Sequence, residues 1–142
     1  MNPITFRGKD EKDEWIYGCL IQTQIVASIN VASIIDKSGN CHVVKPKTIG
    51  HCANVHEDDY DEEFKEVWHG DILSIKRDDI EIVCEVVYET CGFMIVSNQL
   101  DDGFEWIGEF MDCDGSYCWI PDSKLLGNKF DNPELLEVES NG

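Results

Sequence analysis

The sequence predicts an all-β protein of small sheet and barrel architecture, with a β-rich N-terminal part followed by an SH3-like barrel. Three observations predict it. Apolar residues recur mostly with a period of two, the signature of half-buried strands. Turn-forming residues interrupt that pattern at short intervals. No stretch carries the sustained 3.6-residue apolar period of a long helix.

The elements follow in order. From Gln24 to Ile29, Ile25, Ala27 and Ile29 alternate with Val26 and Ser28. The alternation continues to Ile35 and reads as one bent strand. Lys37-Ser38-Gly39-Asn40 makes a turn, and Cys41 to Val44 returns as the second arm of a hairpin. Gly70 to Lys76, Ile80 to Tyr88 and Phe93 to Val96 read as three strands. Arg77-Asp78-Asp79 and Thr90-Cys91-Gly92 join them into a meander, the working part of small closed barrels. Phe104 to Met111 reads as a further strand. Ser116 to Ile120 pairs back after a tight turn at Asp112 to Gly115, and Pro121 ends it because proline cannot donate a ladder hydrogen bond. Leu125 to Phe130 then closes the sheet. In Glu57 to Val67, Tyr60, Phe64 and Val67 share a helical face, but the charge density favours a loop with one helical turn.

The expected organisation is a β-rich subdomain over 1–55, an acidic loop over 56–66, an SH3-like subdomain over 67–136 and a flexible tail over 137–142. At 142 residues and 42% apolar content the chain can build its own core. No apolar stretch is long enough to span a bilayer, and the first residues lack the features of a secretory signal. The expected location is therefore the cytoplasm, with the seven cysteines reduced and mostly filling core positions.

Charge is distributed unevenly. Residues 1–50 hold 5 acids and 6 bases, while residues 51–142 hold 24 acids and 5 bases. Seven acids crowd into the ten residues from Glu57 to Glu66. Such a surface repels phosphates and anionic lipid and attracts basic partners.

Several segments resemble, in this order, the YopX-like family of small phage and prophage proteins. Ile4-Thr5-Phe6-Arg7-Gly8 resembles its opening strand, and Trp15-Ile16-Tyr17-Gly18-Cys19-Leu20 its "W-x-Y-G-x-L" segment. Val44-Lys45-Pro46-Lys47-Thr48-Ile49-Gly50 is similar to its "V-x-P-x-T-(V/I)-G" stretch. Lys65 to Leu73 matches its aromatic-x-G-D-I element, and Leu126 to Leu136 its "I-G-N-(I/V)-x-x-N-P-E-L-L" ending. The resemblance implies a mostly β protein with an SH3-like second half, and it carries over no catalytic residue and no cofactor. After Gly50 the family continues with "Q-Y-T-G-L" and a "D-x-N-G-K" turn. Here His51-Cys52-Ala53-Asn54-Val55 and the acidic stretch stand instead.

Candidate chemistries are weighed against blander roles. Cys41, His42, His51 and Cys52, with His56 nearby, are soft ligands, but their spacing fits no zinc signature. Cys113 and Cys118 face each other across a hairpin and read as an unbonded cross-strand pair. Asp112-Cys113-Asp114-Gly115 begins like a calcium loop, but its glycine comes too early and no Glu follows at the twelfth position. No nucleophile or zinc-protease motif is present. Nucleic-acid binding by a barrel would use Trp68, Trp106 and Trp119 as platforms, yet these lie in the acidic half. The N-terminal bases Arg7, Lys9, Lys12, Lys37, Lys45 and Lys47 read as scattered solubilising charges.

The leading expectation is a non-enzymatic phage or prophage accessory protein, acting in the bacterial host cytoplasm. It binds a protein partner with a basic surface through its acidic half, and nucleic-acid mimicry is one form that binding can take. The contact residues expected are Glu57, Asp58, Asp59, Tyr60, Asp61, Glu62, Glu63 and Phe64, with Glu81, Glu85 and Glu89 on the central strand. No cofactor, metal, membrane contact or direct nucleic-acid contact is expected, and self-association is left open. The competing classes are an enzyme whose carboxylate or metal site assembles only in the fold, and a weak nucleic-acid module.

Overall fold

The computed structural model describes residues 5–25, 29–58, 65–89, 92–115 and 117–136, with side chains outside 22–31. The chain divides into two units, Met1–Cys52 and Ala53–Gly142. Both are built from strands, so the all-β expectation holds.

The first unit contains β1 (Phe6–Lys9), β2 (Trp15–Ile25), β3 (Ile29–Ile35), β4 (Cys41–Val44) and the start of β5 (Gly50–Glu57). Every pairing within it is antiparallel, in the order β5, β1, β2, β3, β4. Even-numbered positions of β2, β3 and β4 face the core, where Ala32, Ile34 and Val44 pack with Phe6, Ile16, Leu20 and Ile49. β2 changes partner in its middle. Up to Gly18 it pairs with β1, and from Cys19 it pairs with β3. Gly18 permits the change because the Ile35 carbonyl oxygen occupies the space a β-carbon would need, 2.0 Å away. The β3–β4 turn is held by Asp36, whose Oδ1 accepts the amides of Ser38 and Asn40 at 2.9 and 3.0 Å.

One expected strand is two. Gln24 to Ile35 is not a single bent strand: Gln24 pairs with Asn30 and Ile25 with Ile29, so the chain reverses there. The reversal carries no glycine or proline, and the apolar alternation runs straight through it.

The second unit contains the end of β5, β6 (Glu66–Trp68), β7 (Asp71–Arg77), β8 (Ile80–Glu89), β9 (Gly92–Val96), β10 (Phe104–Trp106), β11 (Asp112–Asp114), β12 (Tyr117–Ile120) and β13 (Lys124–Asn128). The meander β7–β8–β9 stands as expected, joined by a tight turn in which Asp78 and Asp79 have φ of 51° and 64°. The five-stranded sheet runs β10-β9-β8-β7-β13 and is open, with β10 and β13 at its two edges. The expected closure by Leu125 to Phe130 is absent among the described residues: β13 pairs with β7 alone in this sheet and leaves an edge. Phe104 to Met111 is also not one strand. It ends at Trp106 and continues as a 3-10 turn over Ile107–Glu109, which tucks Ile107 into the core. β12 accordingly pairs with β11 and, in parallel, with β5.

The core beneath the sheet gathers Val55, Val67, Leu73, Ile75, Ile82, Cys84, Val86, Ile95, Leu100, Ile107 and Ile120. The acidic run lies between β5 and β6, which pair with each other. Glu57 ends a strand and Glu66 begins one, so the helix considered over Glu57 to Val67 does not form at either end. Residues 59–64, and the tail at 137–142, lie outside the described residues.

Candidate partner-binding surface

β8 is a regular ten-residue strand, so its odd positions share a face. Ile82, Cys84 and Val86 point to the core. Glu81, Val83, Glu85, Val87 and Glu89 take the other side, which puts three of the expected acids in one row. At about 3.3 Å per residue, successive carboxylates start about 13 Å apart. Each is placed differently. Glu81 accepts a hydrogen bond from Ser74 Oγ at 2.7 Å and stands opposite Lys76. Glu85 lies 3.5 Å from Lys129 Nζ. Glu89 is exposed and faces Gly92 across the ladder.

The same face carries apolar groups. Cross-strand register aligns Val87, Met94 and Trp106, and in the neighbouring row Glu85, Val96 and Phe104. Phe104 and Trp106 are 42% and 44% exposed and meet edge to face with centroids 6.3 Å apart. Gly92 leaves room for the Trp106 ring; a β-carbon there would sit 3.3 Å from it. The face thus combines two exposed aromatics, half-buried aliphatics and a row of carboxylates. Sequence reading named Trp106 only as a stacking platform and missed Phe104 and Met94. The alternation of β9 and β10 is the signal that aligns them, once the register is known.

The acidic run is less available than expected where it is described. Glu57 is buried, 5% exposed, and its carboxylate accepts the Leu125 amide at 2.5 Å with Lys65 Nζ at 3.8 Å. Asp58 accepts the Asp122 amide at 2.6 Å, and its own amide donates to Ser123 Oγ at 3.0 Å. Both residues therefore brace the β12–β13 turn, around an open cleft of 230 Å³ that also borders Lys124. Asp59, Tyr60, Asp61, Glu62, Glu63 and Phe64 lie outside the described residues.

The soft-ligand candidates do not converge. Among the described residues no three His, Cys, Asp or Glu side chains are grouped as a metal site. His42 Nε2 lies 2.8 Å from Asp36 Oδ2. This contact, then the Asn40 amide, holds the Asp36 carboxyl below its ordinary 3.8. His51 packs on Phe6 with ring centroids 4.3 Å apart, and burial pushes its imidazole below 6.5. Cys41 is exposed and Cys52 buried. His56 stacks on Tyr117 and its Nδ1 lies 3.2 Å from the Cys118 carbonyl. Asp112 to Asp114 form a strand, so they do not wrap as a calcium loop. Cys113 and Cys118 are a disulfide, contrary to the unbonded pair expected. They are direct cross-strand partners, which brings their α-carbons to 4.1 Å, close enough to bridge.

Two of the six N-terminal bases are withdrawn from the surface, while Lys12, Lys37, Lys45 and Lys47 are exposed. Arg7 and Lys9 are buried, with the Arg7 guanidinium carbon 4.2 Å and Lys9 Nζ 5.2 Å from the Trp15 ring centroid. Lys45 pairs with Asp13. Trp68, proposed as a platform, is buried, and Trp119 stacks on Tyr117. No helix among the described residues is long and apolar enough to cross a membrane.

Motif residues in the second unit act as scaffold. Asp71 is buried and accepts the Trp68 amide at 2.7 Å. Gly70, at φ 94°, leaves room for the Phe130 ring, and its carbonyl accepts the Lys129 amide at 2.8 Å. Asn128 Oδ1 accepts the amides of Phe130 and Asp131 at 3.0 and 2.9 Å. Two segments far apart in sequence thus meet at one junction between β7 and β13.

A family model described as "YopX protein" matches residues 5–137, nearly the whole chain. No curated protein matched the sequence.

Proposed function

This chain belongs to the YopX family, and from that premise we propose that it is a non-enzymatic phage or prophage accessory protein. It works by binding a basic protein partner through the acidic side of its second unit. The observation that carries this reading is the outer face of the five-stranded sheet. There Glu81, Glu85 and Glu89 stand in a row on β8, beside the exposed rings of Phe104 and Trp106. Charge on such a face steers association with cationic surfaces, and exposed aromatics anchor them once they arrive. Simple partner binding is favoured over nucleic-acid mimicry. Carboxylates about 13 Å apart along one strand space charge far more widely than a phosphate backbone does. Glu85 is in addition paired with Lys129.

The test is capture of basic proteins from bacterial lysate by the parent chain and by a Glu81→Gln, Glu85→Gln, Glu89→Gln variant. Binding should weaken at least about tenfold in the variant. A similar loss should follow when salt rises from about 0.1 M to about 1 M, where the Debye length falls from about 10 to about 3 Å. Binding that ignores both changes refutes the reading. So does a gel shift in which the parent retards DNA or RNA.

A further inference from the structure

The sheet of the first unit has a second face. Odd positions of β2 and β4 point away from the core and alternate with partly or fully buried neighbours. Tyr17, Ile21 and Val43 on that face are 46%, 42% and 56% exposed. Register places Ile21, Ser33 and Val43 in one cross-strand row and Cys19, Ile35 and Cys41 in the next. Cys19 and Cys41 are exposed on either side of Ile35. The rows hold no carboxylate and no ammonium group. A contiguous apolar sheet face open to water is a docking surface in search of its cover.

Charge selects the occupant. A basic or acidic partner finds nothing to pair with on these two rows. A nucleic acid needs open cations, whereas Arg7 and Lys9 are buried against Trp15 and Lys45, just beyond Val43, is paired with Asp13. A second copy of this chain fits, because this face is apolar and can meet its own like. It also lies in the one part of the chain where self-contact brings together no excess of like charge. Residues 1–50 hold 5 acids against 6 bases, whereas contact through residues 51–142 sets 24 acids against 24.

We propose that two copies of the chain associate through this face, with the Ile21–Ser33–Val43 rows packed sheet on sheet about a two-fold axis. The proposal is independent of the partner-binding reading, and the two respond oppositely to salt. Added salt screens the repulsion between two chains of net charge −18 and strengthens the dimer. The same salt weakens capture of a basic partner.

The experiment is sedimentation equilibrium of the full chain, up to about 1 mM, at low and high salt. The parent should form a dimer of the 16.2 kDa chain whose dissociation constant falls as salt rises. Val43→Lys and Ile21→Lys should each weaken it about a hundredfold, since a two-fold interface feels every substitution twice. Both sites are exposed, and an unchanged circular dichroism spectrum confirms that the variants fold. Ile80→Lys, at the exposed start of β8 in the other unit, should leave the dimer intact. A monomer at every concentration overturns the proposal. So does a dimer that tolerates both lysines, one lost in Ile80→Lys, or an open-ended series of larger species.

Discussion

Replacing Gly18 by alanine tests the account of how β2 serves two neighbours. A methyl group there would lie 2.0 Å from the Ile35 carbonyl oxygen, 2.8 Å from its carbon and 3.2 Å from Asp36 Cα. The obstacle is backbone, and a carbon seldom approaches a carbonyl oxygen closer than about 3.3 Å. β3 would have to retreat by more than about 1 Å, at the point where Cys19 pairs with Ile35 and β2 leaves β1. Overpacking a core costs about 1–3 kcal/mol when side chains can yield. Here they cannot, so the cost is at least about 3 kcal/mol. With a urea slope of about 2 kcal/mol per M, the midpoint should fall by about 1.5 M. The assay is urea unfolding followed by tryptophan fluorescence and far-ultraviolet circular dichroism. Gly108→Ala is the control: nothing lies within 4 Å of its would-be β-carbon. Its change should stay within about 0.5 kcal/mol. A Gly18→Ala midpoint within about 0.3 M of the parent's would show that β2 does not pass β3 as closely as described.

Other outcomes follow from single contacts. Asp78 and Asp79 both occupy left-handed backbone in the β7–β8 turn, so Asp79→Gly should stabilise the chain by about 0.5–1 kcal/mol, and a lower urea midpoint would contradict that turn. The Asp36 carboxyl should titrate below 3.8 by NMR, and His42→Ala should move its midpoint back up. Because its folded value is depressed, its contribution to stability is present above the ordinary aspartate range and is lost as pH falls through the depressed value. An unmoved midpoint in the variant would remove His42 as the cause. Closing the short loop between Cys113 and Cys118 restricts the unfolded chain by about 2 kcal/mol. Thiol reductant should therefore lower the unfolding temperature of the parent but not of a Cys113→Ala, Cys118→Ala double variant, and equal responses would deny the bond.

Strand periodicity made most of the fold legible. The meander from Asp71 to Val96 and the Asp36–Asn40 turn follow from alternation and turn residues, because both signals are local. Three features escaped for the same reason, which is that no local residue marks them. The reversal between Ile25 and Ile29 lacks a turn signal. The bend after Trp106 follows Ile107 into the core. Whether β13 closes the sheet depends on which strands it reaches in space. The surface was legible in part: Glu81, Glu85 and Glu89 share a face as their spacing requires. Glu57 looked like one more surface acid and is instead buried on the Leu125 amide, 68 residues away in sequence.

The amino-acid order alone determined the β class, the family and the lopsided charge, since each depends only on which residues occur and at what interval. The tertiary structure alone decided which of them meet water. That choice rests on register and on contacts between distant segments, such as Phe130 over Gly70, Trp106 beside Gly92 and the Leu125 amide on Glu57. Burial is a property of neighbours, and neighbours far apart along a chain are set by packing rather than by pattern.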